Sequence, residues 1–470
     1  MVERLIRKAI AIGWLACSGL AMAGGGATMS LHSLLAEGRY AEIEALLAPL
    51  VQRSATDPTV HPALDDMTRQ LTRARPVSAA PLNRWVSASD TGLSRLVRGR
   101  FFVWRAWKAR GTQVAAETSQ ASFDRFHQLL DDARRDFEIA QRKLGPQCDP
   151  CHAGVLTAWL AGGERALAAR HIDAALMDMG GGILTPQVYL GFLFPRWSGP
   201  LGDPDRFVAQ FTRDFPRSPA IPLLQAALLV ERGEALGRAG SPQQARPLLE
   251  EAVRLNPHDA RGWSELVGVA VALNDPALLL QASDRAMVLS PDEVRPLDAR
   301  AYALLQGPRP LEAVPFLERA VELGSSWALE RLMPIVTSGA LGFKPDRARA
   351  EAICRSAIDA GLPAGFACMG GLHFFGIGQP ADKAQAFQWF VEAAQRGVVS
   401  SMTDVGIMLA RGEGVRVDRE EAIRWWLRAY RGGDRRAEGH LRGNLSAPAY
   451  AWKVTVPDFF ERVWRRIGMS

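Results

Sequence analysis

Apolar and polar positions alternate with a helical period along the C-terminal half, in runs that each end at a stop signal. One alanine near the end of each run recurs at a nearly constant interval. Ala252, Ala286, Ala320, Ala357, Ala393 and Ala429 stand 34, 34, 37, 36 and 36 residues apart. Asn256-Pro257 and Ser290-Pro291 close the first two runs, and Gly324, Gly361, Gly397 and Gly433 close the others. A period of this length predicts stacked helix-turn-helix units around one continuous core. The expected fold is all-α: a right-handed α-solenoid of helix-turn-helix repeats preceded by an irregular helical domain.

The N-terminal half has the same helical period with less regular spacing. The pattern predicts a helical hairpin over 31–52, broken at Gly38-Arg39-Tyr40, and a loop over 53–62. Helices follow at 63–73, 81–87, 92–109 and 123–144. Ala133, Phe137 and Ala140 repeat the offsets of Ala245, Leu249 and Ala252, which suggests related helical pairs with degraded spacing. Residues 161–219 are cut by Gly180-Gly181-Gly182, Pro186, Pro195, Pro200 and Pro204, so short pieces are expected there, with a packed turn at 196–199. The boundary between halves is placed at 216–222. A last amphipathic helix is expected at 457–467, where Phe459, Phe460, Val463, Trp464 and Ile467 would cap the final unit.

Two families carry these motifs. Over 223–324 the small-large-small-proline order (Ala245, Leu249, Ala252, Pro257) and the first-helix pair Trp263 and Leu266 resemble tetratricopeptide repeats. A third, looser unit holds Leu297, Ala313, Leu317 and Ala320. Over 325–442 a turn motif joins in: Gly376-Ile377-Gly378 leads to Asp382, and Gly412-Glu413-Gly414 leads to Asp418. Gln385 and Glu421 sit three residues beyond the aspartates, as a capping box requires. Ala340-Leu341-Gly342 and Asp346 repeat the motif 36 residues earlier, with Arg349 in the box position and a weaker cap expected. This stretch resembles SEL-one-like repeats. The segment 28–219 is similar to a bacterial domain of unknown function, on Leu82-Asn83-Arg84-Trp85, Arg98-Gly99, Arg110-Gly111-Thr112 and Arg196-Trp197-Ser198-Gly199. Residues 443–470 form the capping tail.

The repeat resemblance implies a non-enzymatic scaffold or adaptor that holds a protein or peptide along its first helices. Arg261, Glu265, Arg295, Asp298 and Tyr302 fall at the groove-facing offsets of the two best-framed units. It also implies that exported members can carry interhelical disulfides; for Cys354 and Cys368 a bridge and two buried thiols both fit.

Composition changes the picture in one respect, the compartment. Arg4, Arg7 and Lys8 precede an apolar run over 9–23 that ends in Ala21-Met22-Ala23, the pattern of a secretory signal peptide over 1–23. The expected location is therefore exported and periplasmic. Cys17 is a poor lipoprotein cysteine, because Trp14 stands where that signal wants leucine. No later stretch is long enough to cross a bilayer as a helix. Loss of Arg4, Arg7, Lys8 and Glu3 takes the formal charge from +6 to +4, too mild an excess to argue for nucleic acid. The densest basic run (Arg95, Arg98, Arg100, Arg105, Lys108, Arg110) reads as the solvated side of an amphipathic helix, with an anionic or membrane surface as the competing reading.

One motif could carry chemistry. Cys148-Asp149-Pro150-Cys151-His152 has the spacing of a c-type haem attachment site, with His171, Met177 or Met179 available as a sixth ligand. It equally fits a structural disulfide, an inert reduced pair, or a redox-active pair near a helix start. The remaining histidines show no metal spacing, no cofactor is expected, and the paired aromatics Trp389-Phe390 and Trp425-Trp426 are read as repeat core.

Overall fold

The computed structural model describes residues 30–72, 78–111, 118–194, 203–450 and 453–454, and every regular element among them is helical. The signal segment, the turn expected at 196–199 and the helix expected at 457–467 lie outside the described residues. The chain divides into two compact units, Met1–Ala227 and Leu228–Ser470, and the division falls inside a helix, Ile221–Arg238.

The first unit runs through α1 (Leu31–Ala36), α2 (Tyr40–Arg53), α3 (His61–Thr72), α4 (Ala80–Ser89), α5 (Gly92–Arg110), α6 (Gln120–Leu144), α7 (Asp149–Gly162), α8 (Arg165–Met179), α9 (Leu184–Leu193) and α10 (Pro204–Asp214). Helix α5 is its centre and packs against α2, α3, α4, α6 and α7. The small-large-small order of α6 packs as expected: Ala133, Phe137 and Ala140 are all buried. Phe137 lies against Gly99 of α5 and Gly154 of α7, where added Cβ atoms would come within 2.8 and 2.6 Å of its ring. Glycines on two neighbours let one aromatic hold three helices, so this irregular helical unit clusters around a hub. Residues 161–194 and 203–219 are also more helical than expected. Left-handed Gly163 and Gly180 close α7 and α8, leaving a fifteen-residue helix between them. Helix α3 starts at His61 because Pro62 sits in its first turn, where no N–H donor is needed.

The second unit is a solenoid of helix pairs. After α11 (Ile221–Arg238) come α12 (Pro242–Leu255), α13 (Ala260–Leu273), α14 (Pro276–Leu289), α15 (Val294–Gln306), α16 (Val314–Glu322), α17 (Ser326–Ser338), α18 (Arg347–Asp359), α19 (Ala364–Phe375), α20 (Lys383–Gln395), α21 (Val399–Arg411), α22 (Arg419–Arg431), α23 (Arg436–Asn444) and α24 (Ala447–Tyr450). Its substantial helix contacts are between sequence neighbours or next-but-one neighbours. All six ladder alanines are fully buried. Each also offers its carbonyl to the bond that closes its helix, accepting from the N–H of Asn256, Ser290, Ser325, Leu362, Val398 or Asp434 at 2.8–3.0 Å. In the last four units the intervening glycine has φ of 82–96°, a conformation that a side chain would strain.

In three of the pairs the large residue again meets a glycine. Leu249 faces Gly233, where an added Cβ would lie 2.6 Å away, and Phe390 faces Gly370 at 2.8 Å. Trp426 faces Gly406 more closely still. The turn motif recurs as hydrogen bonds. The Asp382 and Asp418 N–H groups donate to the carbonyls of His373 and Leu409 at 3.0 Å, and their carboxylates cap Gln385 and Glu421 at 2.9 Å. In the earlier copy Asp346 donates to Val336 and caps Arg349 at 3.0 Å, so this cap has the same bond as the others although arginine replaces the Gln or Glu of the box. What differs is the turn. Gly339 closes that helix, not the tripeptide at 340–342, and one extra residue puts Leu341 at φ 61°. In the third tetratricopeptide-like unit Pro310 and Pro315 withhold donors, and the second helix begins as a 3-10 turn, Pro310–Ala313.

Candidate functional site

The cysteine-histidine motif folds into the start of α7, and packing occupies every residue of it. Cys148 precedes the helix, Cys151 lies in its first turn, and a disulfide joins them. The Asp149 carboxylate is fully buried. It accepts from the backbone N–H groups of Ile183 and Leu184 at 2.7 Å, and from the N–H and hydroxyl of Thr185 at 2.9 and 2.6 Å. Those are the orphan donors at the start of α9, tied to a helix 34 residues away in the chain. His152 Nε2 donates to the Pro146 carbonyl at 2.8 Å, which leaves Nδ1 to accept from His171 Nε2 at 3.0 Å. Burial, reinforced by His152, lowers the His171 pKa to about 4.

Of the readings open for this motif, the arrangement has the form of the structural disulfide. Cys148 and Cys151 are 3% and 0% exposed and bonded to each other. Both nitrogens of His152 are occupied. Of the sixth-ligand candidates, His171 holds His152, Met177 points outward and Met179 is buried beside Gly182.

The basic run is also partly neutralised from within. Arg95 and Arg98 converge on the buried Asp136 of α6, at 3.0 Å for Arg95 and 2.7 Å for Arg98, and Arg100 reaches Asp65 at 2.9 Å. Arg98 also holds Asn83. Cys354 of α18 and Cys368 of α19 form a second disulfide, which links one repeat to the next.

The five groove residues lie on α13 and α15, the first helices of successive pairs; Arg295 and Glu265 contact one another, while Arg261 and Asp298 reach residues outside the five. Arg261 meets Glu231 of α11 at 2.7 Å and also pairs with Glu234. Arg295 meets Glu265 at 3.5 Å, and Asp298 accepts from the hydroxyl of Ser325, which precedes α17, at 2.8 Å. Tyr302 is exposed. Burial raises the carboxyl pKa of Glu265, with Glu234 adding to it, and burial likewise raises that of Asp298.

The same contact appears once more, where sequence reasoning missed it. Arg436 at the start of α23 meets Asp404 of α21 at 3.4 Å. Arg261 and Arg295 each lie 30 residues beyond their acid, four short of the 34-residue step; Arg436 lies 32 beyond Asp404, four short of 36. The available signal was an acid followed by arginine at four less than the repeat length.

Family models match parts of the chain. A tetratricopeptide repeat matches residues 226–269, and Sel1 repeats match 369–398 and 399–434. No curated protein matches the chain. Among solved structures, a Sel1 repeat protein from Oxalobacter formigenes is 21% identical over 50% of this chain and 98% of its own, with a TM-score of 0.39. The protein c5321, a protective antigen of uropathogenic Escherichia coli strains displaying an SLR fold, is 18% identical over 78% of this chain and 82% of its own, with a TM-score of 0.32. Yeast Tom70 is 12% identical over 94% and 84%, with a TM-score of 0.30. The chain thus carries one stretch that matches tetratricopeptide repeats and two that match Sel1 repeats, all built as helix pairs.

Proposed function

We propose that this chain is a non-enzymatic scaffold or adaptor of the bacterial cell envelope that holds a protein or peptide partner on the first-helix face of its second unit. Repeats of this class mediate protein–protein interaction. The observation that carries the reading is the row of contacts from Glu231 through Arg261, Glu265 and Arg295 to Asp298, which displays charge along one face beside an exposed tyrosine. Export is supported by the basic and apolar N-terminal segment, and by disulfides at all four described cysteines, which suit an oxidising compartment. No described helix is long and apolar enough to cross a membrane.

The test is capture of envelope proteins by the purified chain, compared with a variant carrying Arg295→Ala, Asp298→Ala and Tyr302→Ala. Loss of the captured partner at an unchanged melting temperature is expected. Binding that disappears only when folding does would reject the assignment of this face.

A further inference from the structure

The repeated acid–arginine contact at the C-terminal end of the second unit borders a cleft of about 400 Å³ between α21 and α23. We infer that this cleft is a side-chain pocket of the partner-binding face and takes a lysine or arginine of the bound peptide, paired to Asp404. The inference rests on the function proposed above and deepens it.

The polar groups of the cleft are unevenly satisfied. Asp434 is well held: it accepts from the Thr403 hydroxyl at 2.7 Å and the Arg436 N–H at 3.0 Å, and pairs with the Arg436 guanidinium at 2.9 Å. Arg436 spends another donor on the Ser400 carbonyl at 3.1 Å. Asp404 is left with the longest of these contacts, 3.4 Å to a guanidinium already engaged elsewhere. Burial raises its carboxyl pKa; Arg436 opposes this and Asp434 adds to it. Two carboxylates and one guanidinium leave a net charge of −1 in the cleft. An entering cation completes the Asp404 pair, whereas an entering anion meets two carboxylates. Val399 supplies an apolar wall for an aliphatic stem, and Gly433 leaves open space at the turn. Because Arg436–Asp404 repeats the register of Arg295–Glu265, the cleft continues the face on which the partner is placed.

Immobilised full-length protein is offered pools of otherwise random nonapeptides with lysine, norleucine or glutamate fixed at the centre. Norleucine keeps the stem and removes the charge. Retention of the lysine pool about tenfold over norleucine is expected, the size of one charge-assisted hydrogen bond. Asp404→Asn should bring the two pools within about twofold of each other while other peptides are still retained. Ser400→Trp, an exposed position that fills the cleft without entering the core, should do the same and guards against a folding artefact in the first variant. Equal retention of lysine and norleucine pools by the wild type, or preference for glutamate, overturns the pocket and leaves the wider face standing. Retention of no pool at all overturns the peptide-binding reading itself.

Discussion

Two regions of this molecule invert what their residues suggest. The stretch from Cys148 to His152 contains the types that chemistry most often uses, and all of them point inward. The sulfurs close on each other, Asp149 holds the start of α9, and His152 fills both ring nitrogens. The face from Glu231 to Tyr302 contains ordinary charged residues and one tyrosine, and it looks outward. Reactive residue types mark a site only where solvent or a partner can reach them, and exposure separates these two regions.

The comparison can be broken, and the largest lever lies in the first unit. Asp136→Ala removes the buried carboxylate that Arg95 and Arg98 share, leaving Arg95 with Asp90 and Arg98 with Asn83, and should cost about 3–5 kcal/mol in urea unfolding. Asp149→Ala removes a buried carboxylate that caps another helix, at about 2–3 kcal/mol. Both variants should capture the partner normally wherever they remain folded; a folded variant that has lost capture would move the binding face to the first unit. Gly406→Ala drives a methyl into Trp426 and should cost about 1–3 kcal/mol in the second unit.

A smaller effect depends on pH. His171 titrates near 4 in the fold against an ordinary 6.5, so the fold favours its neutral form. Its contribution is complete above pH 6.5, is lost as pH falls from 6.5 to 4, and changes no further below 4. The urea midpoint of wild type should therefore approach that of His171→Gln across that window, and a constant gap would refute the assignment. Smallest in stability is Tyr302→Ala, within about 0.5 kcal/mol, yet it should weaken partner capture several-fold. A destabilisation as large as that of Gly406→Ala would show that Tyr302 belongs to the core.

Legibility followed the range of the interactions. The ladder alanines, the closing glycines and the Asp382 and Asp418 caps act within one helix turn or one loop, and periodicity exposes such signals. The role of Asp149 at Ile183–Thr185 could not be read, because its partners lie 34 residues on in a stretch with no period. Oxidation at Cys148–Cys151 and Cys354–Cys368 stayed open for another reason: spacing says nothing about whether two sulfurs meet. The hub role of α5 was hidden in Gly99 and Gly154, whose purpose appears only once Phe137 lies between them. Asp404 and Arg436 were readable in principle, but only with the register supplied by Glu265 and Arg295.

The Cys354–Cys368 crosslink lies between the two charged stretches of the first-helix face, one ending near Asp298 and the other beginning at Asp404. A covalent tie at that place limits how far the intervening helices can slide or stretch. One of the joints between the two stretches is therefore locked, and the spacing offered to a ligand reaching both would vary only through the remaining joints.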